Sequence, residues 1–325
     1  MNKTPRLLLL WLATALSVVA FVAGFNVVID PFGYFGTNGL GYYFSSERQF
    51  KFSLVRGYDY NAILLGDSRI AFTDPSYINF PRYTFLNGGI AGATIPELVS
   101  LLSASRLEQL KLAVLGLEYE DLDSCDDKNR APKNTPTTSD SGPWDSLRFA
   151  VSWTQLSYAI KTISARAKDV EPRYHPDGTR SIVSKAFAES VLDSKNQRYW
   201  SKIDDRTENG NGNPHLKLGA KCRELLSEAR ALSDRYGFAF MVVFLPRDRD
   251  LLTRRYPDTP QMRDEVKRFL AQVQEIVPHA VDLTDTSFSD SQNFWLNDPT
   301  HFKPEVGARV LEEAIRRSFD VQAAK

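Results

Sequence analysis

The sequence predicts an α/β fold, with a parallel sheet covered by helices on both faces and one membrane-spanning helix ahead of it. Three observations carry this expectation. Short apolar runs that end in small residues alternate with longer amphipathic stretches, the pattern of strands joined by crossover helices. The 325 residues are 42% hydrophobic and 25% charged, enough apolar content for a substantial core. No charged residue occurs from Leu7 to Ile29, and about 20 apolar residues suffice to cross a bilayer as a helix.

That first stretch is expected to be an uncleaved anchor, because its apolar run is longer than a signal peptide needs and Ala20 to Gly24 makes a poor cleavage site. Lys3 and Arg6 precede it and place that end in the cytoplasm, so the rest of the chain is expected outside, anchored by a single pass in the cytoplasmic (inner) membrane. Residues 1–29 then form the tip and anchor. The juxtamembrane segment, 30–44, carries Phe32, Tyr34 and Phe35 and is expected near the lipid headgroups. The domain follows over 45–325.

Within the domain, strands are expected at Asn61–Gly66, Tyr83–Asn87 and Lys111–Tyr119. Thr94-Ile95-Pro96-Glu97 has capping-box spacing and opens a helix to about Leu107. Residues 121–215 break the rhythm with polar, proline- and glycine-containing stretches at 129–136 and 208–213. Between these lie helical patterns at 144–168 and 181–199, so the segment is expected to be an insertion over the functional edge of the sheet. The rhythm resumes with a helix over 216–236, the strand Phe238–Leu245, a helix over 261–276, a short strand Ala280–Leu283 and a last helix from Pro304 to about Phe319.

Lys+Arg and Asp+Glu both number 40, which removes any general electrostatic case for binding nucleic acid. His175, His215 and His279 are isolated, and no pair of them has metal-ligand spacing. Cys125 and Cys222 are compatible with a disulfide in an exported chain and equally with two buried thiols.

The chemistry concentrates elsewhere. Ser68 follows the apolar run Ala62-Ile63-Leu64-Leu65 in Gly66-Asp67-Ser68-Arg69, and Asp298-Pro299-Thr300-His301 comes late in the chain. Serine becomes a nucleophile when a histidine takes its proton and an acid orients that histidine. Ser68, His301 and Asp298 supply these groups. Ligands of open α/β sheets bind at the carboxyl ends of the strands, and Ser68, the 88–92 glycines, Glu118 and Arg247 all follow expected strands. Arg69, Asn87, Gly89, Glu118 and Arg247 are therefore candidate substrate contacts, although acids interleave with the arginines of 247–255 in the manner of a solvated loop.

Over about residues 58–320 the chain resembles the SGNH, or GDSL-like, hydrolases. The resemblance rests on Gly66-Asp67-Ser68, on Asn87-Gly88-Gly89-Ile90-Ala91-Gly92-Ala93-Thr94, and on Asp298-x-x-His301. It implies a flavodoxin-like three-layer sandwich, esterase or acyltransferase activity, no cofactor, and an oxyanion held by the Ser68 and Gly92 N–H groups. The family's third motif supplies an asparagine to the oxyanion, where this chain has Glu118 within Leu115-Gly116-Leu117-Glu118. An anchored domain with this site is similar to the envelope proteins that act beside membrane-bound O-acyltransferases, in teichoic acid D-alanylation or exopolysaccharide O-acetylation. The expected function is transfer of an acyl group, acetyl in the first instance, to or from a glycan, with a membrane O-acyltransferase as partner. A plain esterase or lipase-like hydrolase and a non-catalytic glycan-binding scaffold are the alternatives, the scaffold being favoured by Glu118.

Overall fold

A computed structural model describes residues 4–43, 46–123, 125, 143–181, 216–295 and 298–323. The expected helix at 181–199, His215 and the polar stretches at 129–136 and 208–213 lie outside the described residues. Five strands form one parallel sheet: β1 (Ala62–Gly66), β2 (Phe85–Asn87), β3 (Leu112–Leu117), β4 (Ala239–Phe244) and β5 (Ala280–Asp282), in the order β2-β1-β3-β4-β5. This is a doubly wound order whose direction of winding reverses between β1 and β3, so the crevice at their carboxyl ends is the expected ligand site.

β1, β3 and β4 are buried on both faces, which is why they read as unbroken apolar runs. Ile63, Leu65, Ala113, Leu115, Val242 and Phe244 point into one core, and Leu64, Leu112, Val114, Met241 and Val243 into the other. The first core is covered by α2 (Glu47–Gly57), α4 (Ile95–Ser103), α7 (Ala220–Tyr236) and α9 (Pro260–Gln274). The second is covered mainly by α10 (Pro304–Ala323), through Val306, Val310, Leu311, Ala314 and Ile315. Two further helices, α3 (Ser68–Ala71) and α8 (Arg249–Arg255), sit at strand ends.

The pattern at 144–168 is two helices, α5 (Pro143–Ala150) and α6 (Trp153–Ala167). Ser152 separates them by capping α6, its hydroxyl accepting from the Gln155 N–H at 3.2 Å. The capping box expected at Thr94–Glu97 does not form. Thr94 makes no side-chain cap bond, and the fully buried Glu97 accepts instead from Arg48 Nε of α2 at 2.8 Å. The 298–302 stretch is a strand, β7 (Asp298–Phe302), paired antiparallel with β6 (Phe294–Trp295).

The N-terminal helix α1 (Thr4–Ile29) is long and apolar enough to cross a membrane. Its last turns pack against α5 and α6, with the Asn26 side-chain amide donating to the Ala150 carbonyl at 2.6 Å. The segment after it is part of the globular body. Phe32 is fully buried, Tyr34 and Tyr43 nearly so, and all three belong to the first core. Asp30 holds the turn by accepting from the Phe35 and Thr37 N–H groups at 3.0 and 3.2 Å. The domain therefore begins near Phe32, ahead of residue 45, because the aromatic residues find partners in Phe149 and Tyr158 of the insertion.

Cys125 and Cys222 form a disulfide across a sequence separation of 97 residues, with Cα atoms 5.1 Å apart. It ties the start of the insertion to the helix by which the chain returns to the sheet.

Candidate active site

β1 ends at Gly66, whose φ of 158° and close neighbours favour glycine. A Cβ there would lie 2.4 Å from Ile70 Cγ1 and 2.8 Å from the Gly116 carbonyl oxygen. Asp67 then caps α3, accepting from the Arg69 N–H at 2.9 Å. Ser68 is the first residue of α3, so its N–H has no partner within the helix and faces the start of that turn. Both Ser68 and Asp67 remain partly exposed, while Arg69 and Ile70 are buried.

Ser68 Oγ lies 2.7 Å from His301 Nε2, a full hydrogen bond between residues more than two hundred positions apart. β7 presents this histidine. His301 Nδ1 is 3.1 Å from Thr300 Oγ1, and a proton held on Nδ1 and donated to Thr300 leaves Nε2 free to accept from Ser68. The ring of Phe72 meets the imidazole edge-on at 5.7 Å, and the Arg180 guanidinium lies over the Phe72 ring at 5.0 Å. Asp298 begins the same strand, and its side chain lies outside the described residues.

The glycine loop runs beside the serine turn. Gly88 N–H donates to the Leu64 carbonyl and Ile90 N–H to the Gly66 carbonyl, at 2.7 and 2.9 Å. Gly89 is a packing glycine, since a Cβ there would lie 2.3 Å from Ala71 N. Gly92 is exposed with φ of 61°, a left-handed conformation that suits glycine.

Asn87 is corrected from a substrate contact to a structural residue. It is fully buried, donates to the Ile70 and Thr73 carbonyls at 2.6 and 2.7 Å, and accepts from Gly89 N–H at 2.9 Å and Lys51 Nζ at 3.3 Å. No capacity is left for a ligand. Gly89 is withdrawn too, because it is buried, packs against Ala71 and gives its N–H to Asn87 Oδ1. Lys51 also donates to the Asn87 and Gly178 carbonyls at 2.6 and 2.5 Å, and burial pulls its ammonium down to about 7.

At the end of β3 the Glu118 carboxylate sits between two buried guanidinium groups. Arg69 Nη1 is 3.0 Å from Glu118 Oε1, and Arg247 Nη2 reaches Glu118 Oε2 and, at 2.8 Å, Glu120 Oε2. Asp67 adds a second acceptor for Arg69 at 3.4 Å, and Arg255 pairs with Glu120 at 2.5 Å. Arg247 is 5% exposed, and it and Arg255 satisfy acids at the neighbouring strand end, whereas Arg249 and Arg254 of the same segment are exposed. Burial opposes the charge on Arg247, but Glu118 and Glu120 outweigh it and hold the guanidinium above its ordinary value. Asp121, which accepts from the Glu118 N–H at 2.7 Å, is pushed up to about 7 by burial and by the Glu118 carboxylate.

The second half of the insertion reaches this edge. Tyr174 bridges to Tyr43 and to Arg180, the Asn87 N–H donates to the Asp177 carbonyl at 2.8 Å, and the Arg180 N–H to the Ala71 carbonyl at 2.8 Å. Phe72, Arg180 and Thr300 are site residues that sequence reasoning missed. Thr300 lay within the Asp-x-x-His motif, whereas nothing marked Phe72 or Arg180. Among the described residues no group of His, Cys, Asp and Glu is arranged to hold a metal ion. The arrangement places a serine hydroxyl within hydrogen-bonding distance of an imidazole, beside a polar platform in which the Glu118 carboxylate lies between two guanidinium groups. No family model and no curated protein matches the chain.

Proposed function

We propose that the protein is an extracytoplasmic serine acyltransferase or esterase of SGNH-like type, anchored by α1 and acting on acyl groups of an envelope glycan. The observation that supports it most is the 2.7 Å contact of Ser68 Oγ with His301 Nε2 at the carboxyl end of β1. In this reading Ser68 attacks the ester carbonyl as its proton passes to His301. The resulting imidazolium returns that proton to the departing alkoxide, leaving an acyl-serine. Water or a sugar hydroxyl then attacks the acyl-serine, His301 takes the proton of the incoming group, and the Ser68 oxygen recovers it on release. Thr300 and Asp298 hold the imidazole in the required tautomer. The Ser68 and Gly92 N–H groups hold the oxyanion.

Glu118 supplies no oxyanion donor. Loss of one such donor costs about 3–4 kcal/mol of transition-state stabilisation, so a slow intrinsic rate is expected. Its pairing with Arg69 and Arg247 removes the repulsion that a bare carboxylate would exert on the oxyanion. A membrane O-acyltransferase would supply the donor, since acyl-CoA is confined to the cytoplasm. The positive charges of Lys3 and Arg6, ahead of the apolar run that begins at Leu7, support this orientation.

The test uses the full chain in detergent with an acetylated polysaccharide and a soluble sugar acceptor. Acetylated acceptor that rises with acceptor concentration, and is lost in Ser68→Ala, is expected. Release of acetate alone, independent of acceptor, assigns plain hydrolysis instead, and no turnover of either kind in the folded wild type contradicts the proposal.

A further inference from the structure

The α5–α6 pair is built inside out. Along α6 the buried positions are Gln155, Ala159, Thr162 and Ala165, while Trp153, Ile160 and Ile163 are exposed. With the half-buried Leu156, these apolar residues recur at the spacing of one helix face. α5 repeats the pattern: Trp144, Leu147 and the following Val151 are exposed, at 76, 48 and 37%. A helix pair that turns tryptophan, leucine and isoleucine outward has an apolar face still to be covered. Arg148, Lys161 and Arg166 flank it and are exposed, against one acid, Asp145, on the two helices.

The helix α1 says what covers it. Leu7 to Phe21 is exposed on all sides, a length of about 22 Å at the helical rise. The hydrocarbon layer is about 30 Å thick. A span that begins at Leu7 therefore extends to about Asn26, where α1 is already packed against Ala150 at the junction of α5 and α6. A bilayer crossed by α1 cannot stop short of the helix pair.

We propose that α5 and α6 lie in the membrane interface, with Trp144, Leu147, Val151, Trp153, Ile160 and Ile163 facing lipid and the flanking basic side chains facing anionic headgroups. Amphipathic helices with aromatic and aliphatic residues on one side and cations beside them lie in the headgroup layer in this way. The inference rests on reading α1 as a membrane span. It adds that the bilayer grips the domain at a second surface, so the body is held in one orientation on the membrane, not hung from a tether.

The native cysteines are consumed by the disulfide, so one introduced cysteine is the single labelling site. Spin labels are placed by Leu12→Cys, Leu147→Cys, Ile160→Cys and Glu228→Cys in the full chain, reconstituted in phosphatidylethanolamine–phosphatidylglycerol vesicles. Collision with oxygen, which partitions into lipid, is compared with collision with a water-soluble nickel complex. The expected oxygen-to-nickel ratio is highest at Leu12, intermediate at Leu147 and Ile160, and lowest at Glu228 on the exposed side of α7. Labels at Leu147 and Ile160 that match Glu228 while Leu12 stays in lipid overturn the inference and leave the anchor intact. A label at Leu12 that matches Glu228 overturns the anchor itself. Spin–spin broadening between copies at Ile160 without lipid contact overturns the inference in favour of a second copy of this chain on that face.

Discussion

Ser68 and His301 meet because two unrelated turns end at one place. Gly66 and the Asp67 cap aim Ser68 off the end of β1, and β7 brings His301 back to it from the far end of the chain. Behind them Arg69 and Arg247 pair with Asp67, Glu118 and Glu120, while the Glu118 N–H donates to Asp121. Its folded value of about 7 lies above its ordinary 3.8, so the native state binds the proton more tightly than the unfolded chain. Such a group contributes stability that is full below about pH 4 and is lost as pH rises towards 7. Thermal denaturation across pH 4–8 is expected to show this fall in the wild type and a flatter profile in Asp121→Asn, which keeps an acceptor for the Glu118 N–H. Equal slopes in the two proteins contradict it.

At the scale of elements, the disulfide and the insertion decide how the sheet's edge is assembled. The bridge closes a loop of nearly a hundred residues, and chain entropy assigns such a cross-link about 4–5 kcal/mol, with measured cases from about 2. Cys125→Ala together with Cys222→Ala is expected to lower the urea midpoint accordingly, and an unchanged midpoint rules out that contribution. The central strands were legible in sequence because burial on both faces leaves them unbrokenly apolar, as in Phe-Ala-Phe-Met-Val-Val-Phe-Leu at 238–245. α2 was not. Phe50, Lys51, Phe52, Ser53, Leu54 and Val55 are all buried, so no single apolar face marks a helix, and Lys51 is tolerated inside because three oxygens receive it. Asp298–Phe302 gave no strand pattern either, since a two-stranded ribbon needs only Phe294 and Phe302 to anchor it. The motif residues Ser68 and His301 were readable from their spacing, but the partners of Glu118 and Arg247 were not, because ion pairing between strand ends leaves no trace in local sequence.

For the whole molecule, the junction between α1 and the domain is closely packed. Phe32, Tyr34 and Tyr43 belong to the main core, and each buried aromatic side chain contributes about 1.5–3 kcal/mol. A chain starting at residue 46 is therefore expected to lose cooperative unfolding or to unfold at a markedly lower temperature. One that starts at residue 22 keeps these residues and is expected to melt near the full-length value. Calorimetry of the two separates the alternatives, and equal melting temperatures contradict a core that includes 30–43. On the proposed reading of α1 as a membrane span, this packing also fixes the distance of Ser68 from the bilayer.

The central claim is an activated serine. The most direct measurement is labelling of the full chain with a fluorophosphonate, with the modified residue located by mass spectrometry in wild type, Ser68→Ala and His301→Ala. The account predicts one adduct, on Ser68, absent from Ser68→Ala and slowed at least about a thousandfold in His301→Ala, as for other serine–histidine pairs. An adduct at another residue, or labelling of Ser68 at the same rate without His301, would contradict it.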